Sequence, residues 1–218
     1  MKKLIALVLL AMPAGLAYAE GIAAGLSLGT LGPGVQVTFA LREDLNLRLG
    51  VNGVDFSYGY DHRGVDYDTT VKLFNAPLLV DWFPMKGLLR LSAGVAVNQN
   101  RIDAQGRPRS GVYTLGNNTY SAPQIASVQG VAKYDNLAPY LGLGLGNPVL
   151  PRKTFGWNVD LGLMYQGRPK TSYSVACGTG VNCAQLQADA SIEAGDFDHD
   201  MSKYRLYPVV QAYLTWQF

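Results

Sequence analysis

Charge is what this chain has least of. Asp, Glu, Lys and Arg make up only 16% of its 218 residues, against roughly 25% in ordinary soluble domains. Low charge would suit a helical membrane protein, yet beyond the leader no segment reaches the ~18 consecutive apolar residues that a spanning helix needs. Basic excess is missing too. The formal net charge is +2, which argues against nucleic acid as a partner. Histidine occurs twice, at His62 and His199, and cysteine twice, at Cys177 and Cys183. No Pro/Ser-rich linker, low-complexity tract or heptad divides the sequence, so one domain is expected.

The first nineteen residues stand apart. Lys2 and Lys3 precede an apolar stretch from Leu4 to Leu10, followed by Ala17-Tyr18-Ala19. A basic start, a short apolar core and an A-x-A site describe a secretory signal peptide over 1–19, leaving 20–218 as the mature chain. Removal of the leader takes two lysines with it and leaves acidic and basic residues in balance.

What the chain does have is glycine, 25 residues of it, and alternation. Leu45, Leu47, Leu49 and Val51 interleave with Asn46, Arg48, Gly50 and Asn52. Leu89, Leu91, Ala93, Val95 and Val97 interleave with Arg90, Ser92, Gly94, Ala96 and Asn98. Phe155, Trp157, Val159, Leu161 and Leu163 interleave with Asn158, Asp160, Gly162 and Met164. A soluble sandwich also alternates, but with a charged outer face and large apolar residues inside. Here the polar face is glycine, serine and asparagine, and the other is leucine, valine and aromatics. That pattern fits lipid outside and a narrow polar interior, an all-β transmembrane antiparallel barrel.

The alternation marks eight strands, near 22–30, 35–41, 45–59, 69–83, 88–101, 133–146, 155–168 and 204–218. Arg42-Glu43-Asp44, Pro84 to Gly87 and Asn147 to Thr154 are short, as periplasmic turns are; Tyr60–Asp68, Ile102–Ala132 and Pro169–Lys203 are long, as extracellular loops are. Leu31–Gly34 is a tight Gly-Pro-Gly hairpin. In this threading Trp82, Trp157 and Trp216, with the terminal Phe218, fall at the periplasmic rim as an interfacial aromatic girdle. Tyr58, Tyr60, Tyr165 and Tyr204 mark the opposite rim.

The segments "YDNLAPYLGLGLGN" and "WNVDLGLMYQGRPK", within residues 134–170, resemble the late strands of small Gram-negative eight-stranded barrels. The likeness is to CarO-type outer-membrane channels and, more distantly, to OmpW-like barrels. The alternating apolar terminus ending in Phe218 is similar to the signal read by the outer-membrane assembly machinery. The resemblance implies outer-membrane residence and the passage of small, basic solutes; no ligand residues transfer with it.

Four groups remain as candidates for chemistry. Cys177 and Cys183 enclose "GTGVN" in an exported loop, which predicts a structural disulfide, since a metal site would want more ligands and redox work a C-x-x-C. "GDFDHD" gathers Asp196, Asp198, His199 and Asp200; the first, second and last are a weak calcium candidate, and a solvated acidic loop beside Lys203 is the favoured reading. No cofactor is implied. The histidines lie in separate loops outside any Ser/His/acid arrangement, so an enzyme, lipid-modifying or otherwise, ranks last. The fourth group is in the lumen. The Pro84–Gly87 turn makes Phe83 and Leu88 a pair and sets Asp81 opposite Arg90, both inward; Arg48 on the neighbouring strand reaches the same level, and Asp160 approaches from across. A cluster of Arg48, Asp81, Arg90 and Asp160 is expected across the lumen.

Two functions follow. One is a narrow channel for small hydrophilic solutes, which the resemblance favours. The alternative is a non-conducting surface barrel whose loops bind a partner or lipopolysaccharide, which the physics of eight strands favours, because their interior is just filled by side chains.

Overall fold

The computed structural model describes residues 21–62, 65–149 and 154–218, so the leader expected over 1–19 lies outside the described residues. In chain order the strands are β1 (Gly21–Gly29), β2 (Gly34–Arg42), β3 (Leu45–His62), β4 (Val65–Trp82) and β5 (Leu89–Asn98). Next come β6 (Arg101–Pro108), a small hairpin of β7 (Val112–Leu115) and β8 (Asn118–Ser121), and β9 (Ile125–Lys133). The chain continues through β10 (Leu137–Leu145), β11 (Phe155–Tyr165), β12 (Lys170–Cys177), the helix α1 (Cys183–Met201) and β13 (Leu206–Gln217).

β1, β2, β3, β4, β5, β10, β11 and β13 pair antiparallel in that order, and β13 returns to β1, closing an eight-stranded ring. Closure leaves no sheet edge at the level of the ring, the condition for a sheet to sit in lipid. Leu26 faces Leu214 in the closing pair, and the Phe218 amide still donates to the Ile22 carbonyl at 2.9 Å. The hairpin between β1 and β2 turns on Gly32, at φ +87°, a conformation that only glycine adopts without strain.

The two faces of the ring are as different as the alternation requires. Leu141 is 67% exposed on the outside, while Tyr140 beside it is 7% exposed within. Trp82, Trp157, Trp216 and Phe218 all face out at the end of the short turns, where Phe155 and Trp216 meet edge to face at 5.4 Å.

Above the ring the strands do not stop. β3 and β4 run 18 residues each, and the segment expected as a loop over Tyr60–Asp68 is their continuation up to His62 and from Val65. β6, β9 and β12 extend β5, β10 and β11 and pair with β4 to form a sheet in the order β3, β4, β6, β9, β12. So the stretches 102–132 and 169–203 are structured, not loops. Tyr58 and Tyr60 consequently lie above the ring, stacked with Tyr67 (Tyr60–Tyr67 centroids 5.0 Å apart), while Tyr165 stays at its rim opposite Leu206.

α1 closes over this extension. Its start is set by Asn182, whose side chain accepts from the Gln185 amide at 3.4 Å, and by the Cys177–Cys183 disulfide joining the end of β12 to the first helical residue. Leu186 and Ala190 pack with Leu115, Tyr120, Ile125 and Val175 in a small core of the extension's own. The residues of "GDFDHD" are therefore helical.

Candidate functional site

The lumen is built by parity. Inward positions on β3, β4, β5 and β11 carry Arg48, Asp81, Arg90 and Asp160, and the ring brings all four together with side chains 0–2% exposed. Arg48 donates to Asp81 Oδ1 at 2.9 Å and also to Asp160; Arg90 donates to Asp160 Oδ1 at 2.6 Å and lies 3.9 Å from Asp81. Two guanidiniums thus alternate with two carboxylates in a neutral ring of charge. Ser92 donates to Asp81 Oδ1 at 2.5 Å and accepts from Arg48 at 3.3 Å. Arg90 reaches the Gly146 carbonyl as well, and Arg48 lies 5.2 Å from the centre of the Tyr213 ring.

The register behind this differs from expectation by one step of two. Asp81 faces Ser92, not Arg90, because the turn after Trp82 takes up more residues than the four from Pro84 to Gly87. A shift of two keeps every side chain on its face, so Asp81 still points inward, and the long arginine spans the extra distance.

Glycine makes the room. A Cβ on Gly144 would stand 2.5 Å from both Arg90 Nε and Asp160 Oδ1, and one on Gly142 or Gly162 would stand 2.4 Å from the Tyr140 hydroxyl. The "GLGLG" string is the space that the charges and Tyr140 occupy.

Polar groups do not fill the whole interior. Leu31, Leu79, Ala96, Ala138, Tyr140, Met164 and Val209 form a buried apolar cluster inside the ring beyond the charges. Above it, amides close the mouth: Asn75 donates to Asn100 at 3.1 Å, Asn100 to Gln166 at 3.3 Å, and Gln211 to Asn52 at 3.1 Å. Met164 and Leu79 share the inward parity of Asp160 and Asp81, so this layer was legible; Leu31, in the first hairpin, carries no such signal.

The remaining candidates separate. Cys177 and Cys183 are bridged. Asp196, Asp198 and Asp200 do not converge, because residues two apart on a helix point to opposite sides. Asp198 is taken by Arg168 and by Thr171 at 2.7 Å, and Asp200 by Lys203 at 2.7 Å. Among the described residues no three His, Cys, Asp or Glu are placed to hold a metal ion. His62 ends β3 and His199 lies on α1, so neither is in a loop.

Set beside solved structures, the chain matches Acinetobacter baumannii CarO2 at TM-score 0.63 and 23% identity, over 91% of this chain and 98% of that one. It matches CarO of the same organism at TM-score 0.61 and 24% identity, over 92% and 98%. The chain has the CarO fold. At this identity the CarO likeness speaks for architecture alone. No protein-family model and no curated protein sequence matches the chain.

Proposed function

We propose that this is an outer-membrane barrel whose lumen is shut as folded, and whose work is done by the head above the ring, not by an open pore. The observation that carries the reading is the buried ring of Arg48, Asp81, Arg90 and Asp160 stacked under the apolar layer of Leu79, Ala96, Ala138, Met164 and Val209. A solute would have to part a buried, ion-paired charge layer and then cross packed apolar side chains. Both steps are costly in a low-dielectric interior. The location is supported by the outward belt of leucine, valine and tryptophan on a closed ring, which in water would be an exposed apolar surface far beyond what soluble proteins carry. Export by the leader over 1–19 belongs to the same proposal.

The second reading, a narrow channel for small hydrophilic solutes that opens by rearrangement, has one observation in its favour. Arg48 Nε, Arg90 Nε, Asp81 Oδ2 and the Tyr140 hydroxyl are buried without a hydrogen-bond partner, so the charge layer is ion-paired but not fully hydrogen-bonded. Proteoliposome swelling decides between the two. With arabinose, glycine or lysine as the solute, vesicles holding the refolded wild type should swell no faster than empty ones. Solute-selective swelling would replace the closed barrel with the channel.

A further inference from the structure

Four neighbouring strands of the extension each carry a basic residue at one level. Lys72 on β4 faces Arg101 on β6, Arg101 faces Lys133 on β9, and Lys133 faces Lys170 on β12. Direct cross-strand neighbours share a face. That face is the outer one, since Lys72 continues the parity of Leu78, Val80 and Trp82. With strands about 4.8 Å apart, the row is roughly 14 Å long.

Like charges placed directly opposite one another destabilise a sheet, and two carboxylates flank this row of four cations: Asp55 on β3 stands opposite Lys72, and Asp103 lies beside Arg101 on β6. Asp103 binds Arg101 Nε through both oxygens, at 2.8 and 2.7 Å. The Arg101 hydrogen bond, with Lys72 and Lys133 further off, holds the Asp103 carboxyl below its ordinary range. Lys72, Lys133 and Lys170 make no salt bridge among the described residues, whereas elsewhere on the head Arg109 pairs with Asp66, Arg168 with Asp198 and Lys203 with Asp200.

Height supplies the reason. Val97 and Leu137, opposite each other, are the last exposed apolar residues of β5 and β10. Arg101 and Lys133 lie four residues further along the same chains, roughly 13 Å up a tilted strand. The row therefore stands just above the lipid-facing belt, at the headgroup level of the leaflet on the long-excursion side.

We propose that Lys72, Arg101, Lys133 and Lys170 form a docking site for the phosphates of lipopolysaccharide. The proposal rests on the outer-membrane reading above, which sets the head in the outer leaflet. A glycolipid headgroup bearing more than one phosphate matches a row of cations too long for a single anion, and it supplies the negative charge that the sheet lacks.

The test uses wild type and the K72Q/K133Q/K170Q variant refolded into phosphatidylcholine vesicles, with fluorescent lipid A as probe. Wild type should bind bisphosphorylated lipid A at least about tenfold more tightly than the variant does. Lipid A stripped of phosphate should bind both equally weakly, and millimolar inorganic phosphate should not displace the bound lipid. Equal binding of phosphorylated lipid A by inserted, heat-modifiable wild type and variant would overturn the site while leaving the barrel's location standing. Displacement by inorganic phosphate would reduce the row to a free-anion site and overturn the docking proposal. Failure of the wild type to insert into vesicles would instead bring down the outer-membrane reading, and this inference with it.

Discussion

Asp81 accepts from Arg48 and Ser92 through one oxygen and sits 3.9 Å from Arg90, wholly out of solvent. Removing it leaves two buried guanidiniums sharing Asp160. Breaking one partner of such a network costs about 3–5 kcal/mol, more than the pair itself is worth, because the surviving charge stays buried. Asp81→Ala is therefore expected to lower the unfolding free energy of the refolded barrel by that order, read as a lower urea midpoint, with Asp81→Asn losing less because its amide oxygen still accepts from Arg48. A midpoint unchanged in Asp81→Ala would mean the four charges are hydrated separately. Gly144 tests the same ring sterically. Its Cβ would collide with Arg90 and Asp160 at 2.5 Å, whereas a Cβ on Gly87 meets nothing nearer than 3.8 Å. Gly144→Ala should cost about 1–3 kcal/mol as an overpacking change, and Gly87→Ala close to nothing; equal effects would contradict the packing described.

β3 shows at the scale of one element why part of the chain is legible and part is not. Its register with β4 is unbroken from Leu45 to His62, yet its two faces exchange character half-way. Up to Asn52 the odd residues are apolar and face lipid; beyond Gly53 the odd residues are Asp55, Ser57, Gly59 and Asp61, and the even ones are Val54, Phe56, Tyr58 and Tyr60. A strand leaving the membrane turns its polar face outward to water, so the apolar-out alternation ends where only its sign changes. The ring's strands were readable because lipid imposes one sign throughout. β6, β9 and β12 were not, because they have no lipid-facing side. α1 was hidden for another reason: Gly195 and its run of aspartates read as a loop, and although the Asn182 cap and the disulfide are local, the contacts of Asp189 with Asn118 and Tyr120 are tertiary.

Asp189 gives α1 a pH signature. It accepts from Tyr120 Oη at 2.5 Å and from Asn118 Nδ2 at 2.8 Å. The hydrogen bonds from Tyr120 and Asn118 hold its carboxyl below the usual range, and the bond to Asp189, together with burial, pushes the Tyr120 phenol up to about 12. A depressed carboxylate contributes stability above its unfolded value near ~3.9, lost as pH falls through the lower folded value; a raised phenol contributes fully below ~10, lost as pH climbs through the raised one. The docking of α1 should be level from about pH 5 to 9 and weaken between ~10 and about 12. Most of a helix's stability in a protein comes from the packing of its buried face, so circular dichroism at 222 nm reports the loss. Tyr173, which packs against Phe197 of α1 and is likewise raised by burial to about 12, adds to that step, so Tyr120→Phe should show a smaller one. The same step in both proteins would remove Tyr120 from the account.

The whole molecule is a closed ring carrying a structured head, with its interior divided into a charged layer, an apolar layer and a layer of amides. Eight strands leave just enough space for side chains to fill, and here they do so with paired charges, packed apolar groups and hydrogen-bonded amides. The head rests on strands that the ring already fixes in position, so whatever it binds is held at a set height above the lipid. The most direct measurement of this account is single-channel recording of the refolded wild type beside Asp81→Ala in planar bilayers. The account predicts a silent wild type, and conductance events, irregular and noisy, only once Asp81 is removed. Regular stepwise conductance in the wild type, unchanged by Asp81→Ala, would contradict it.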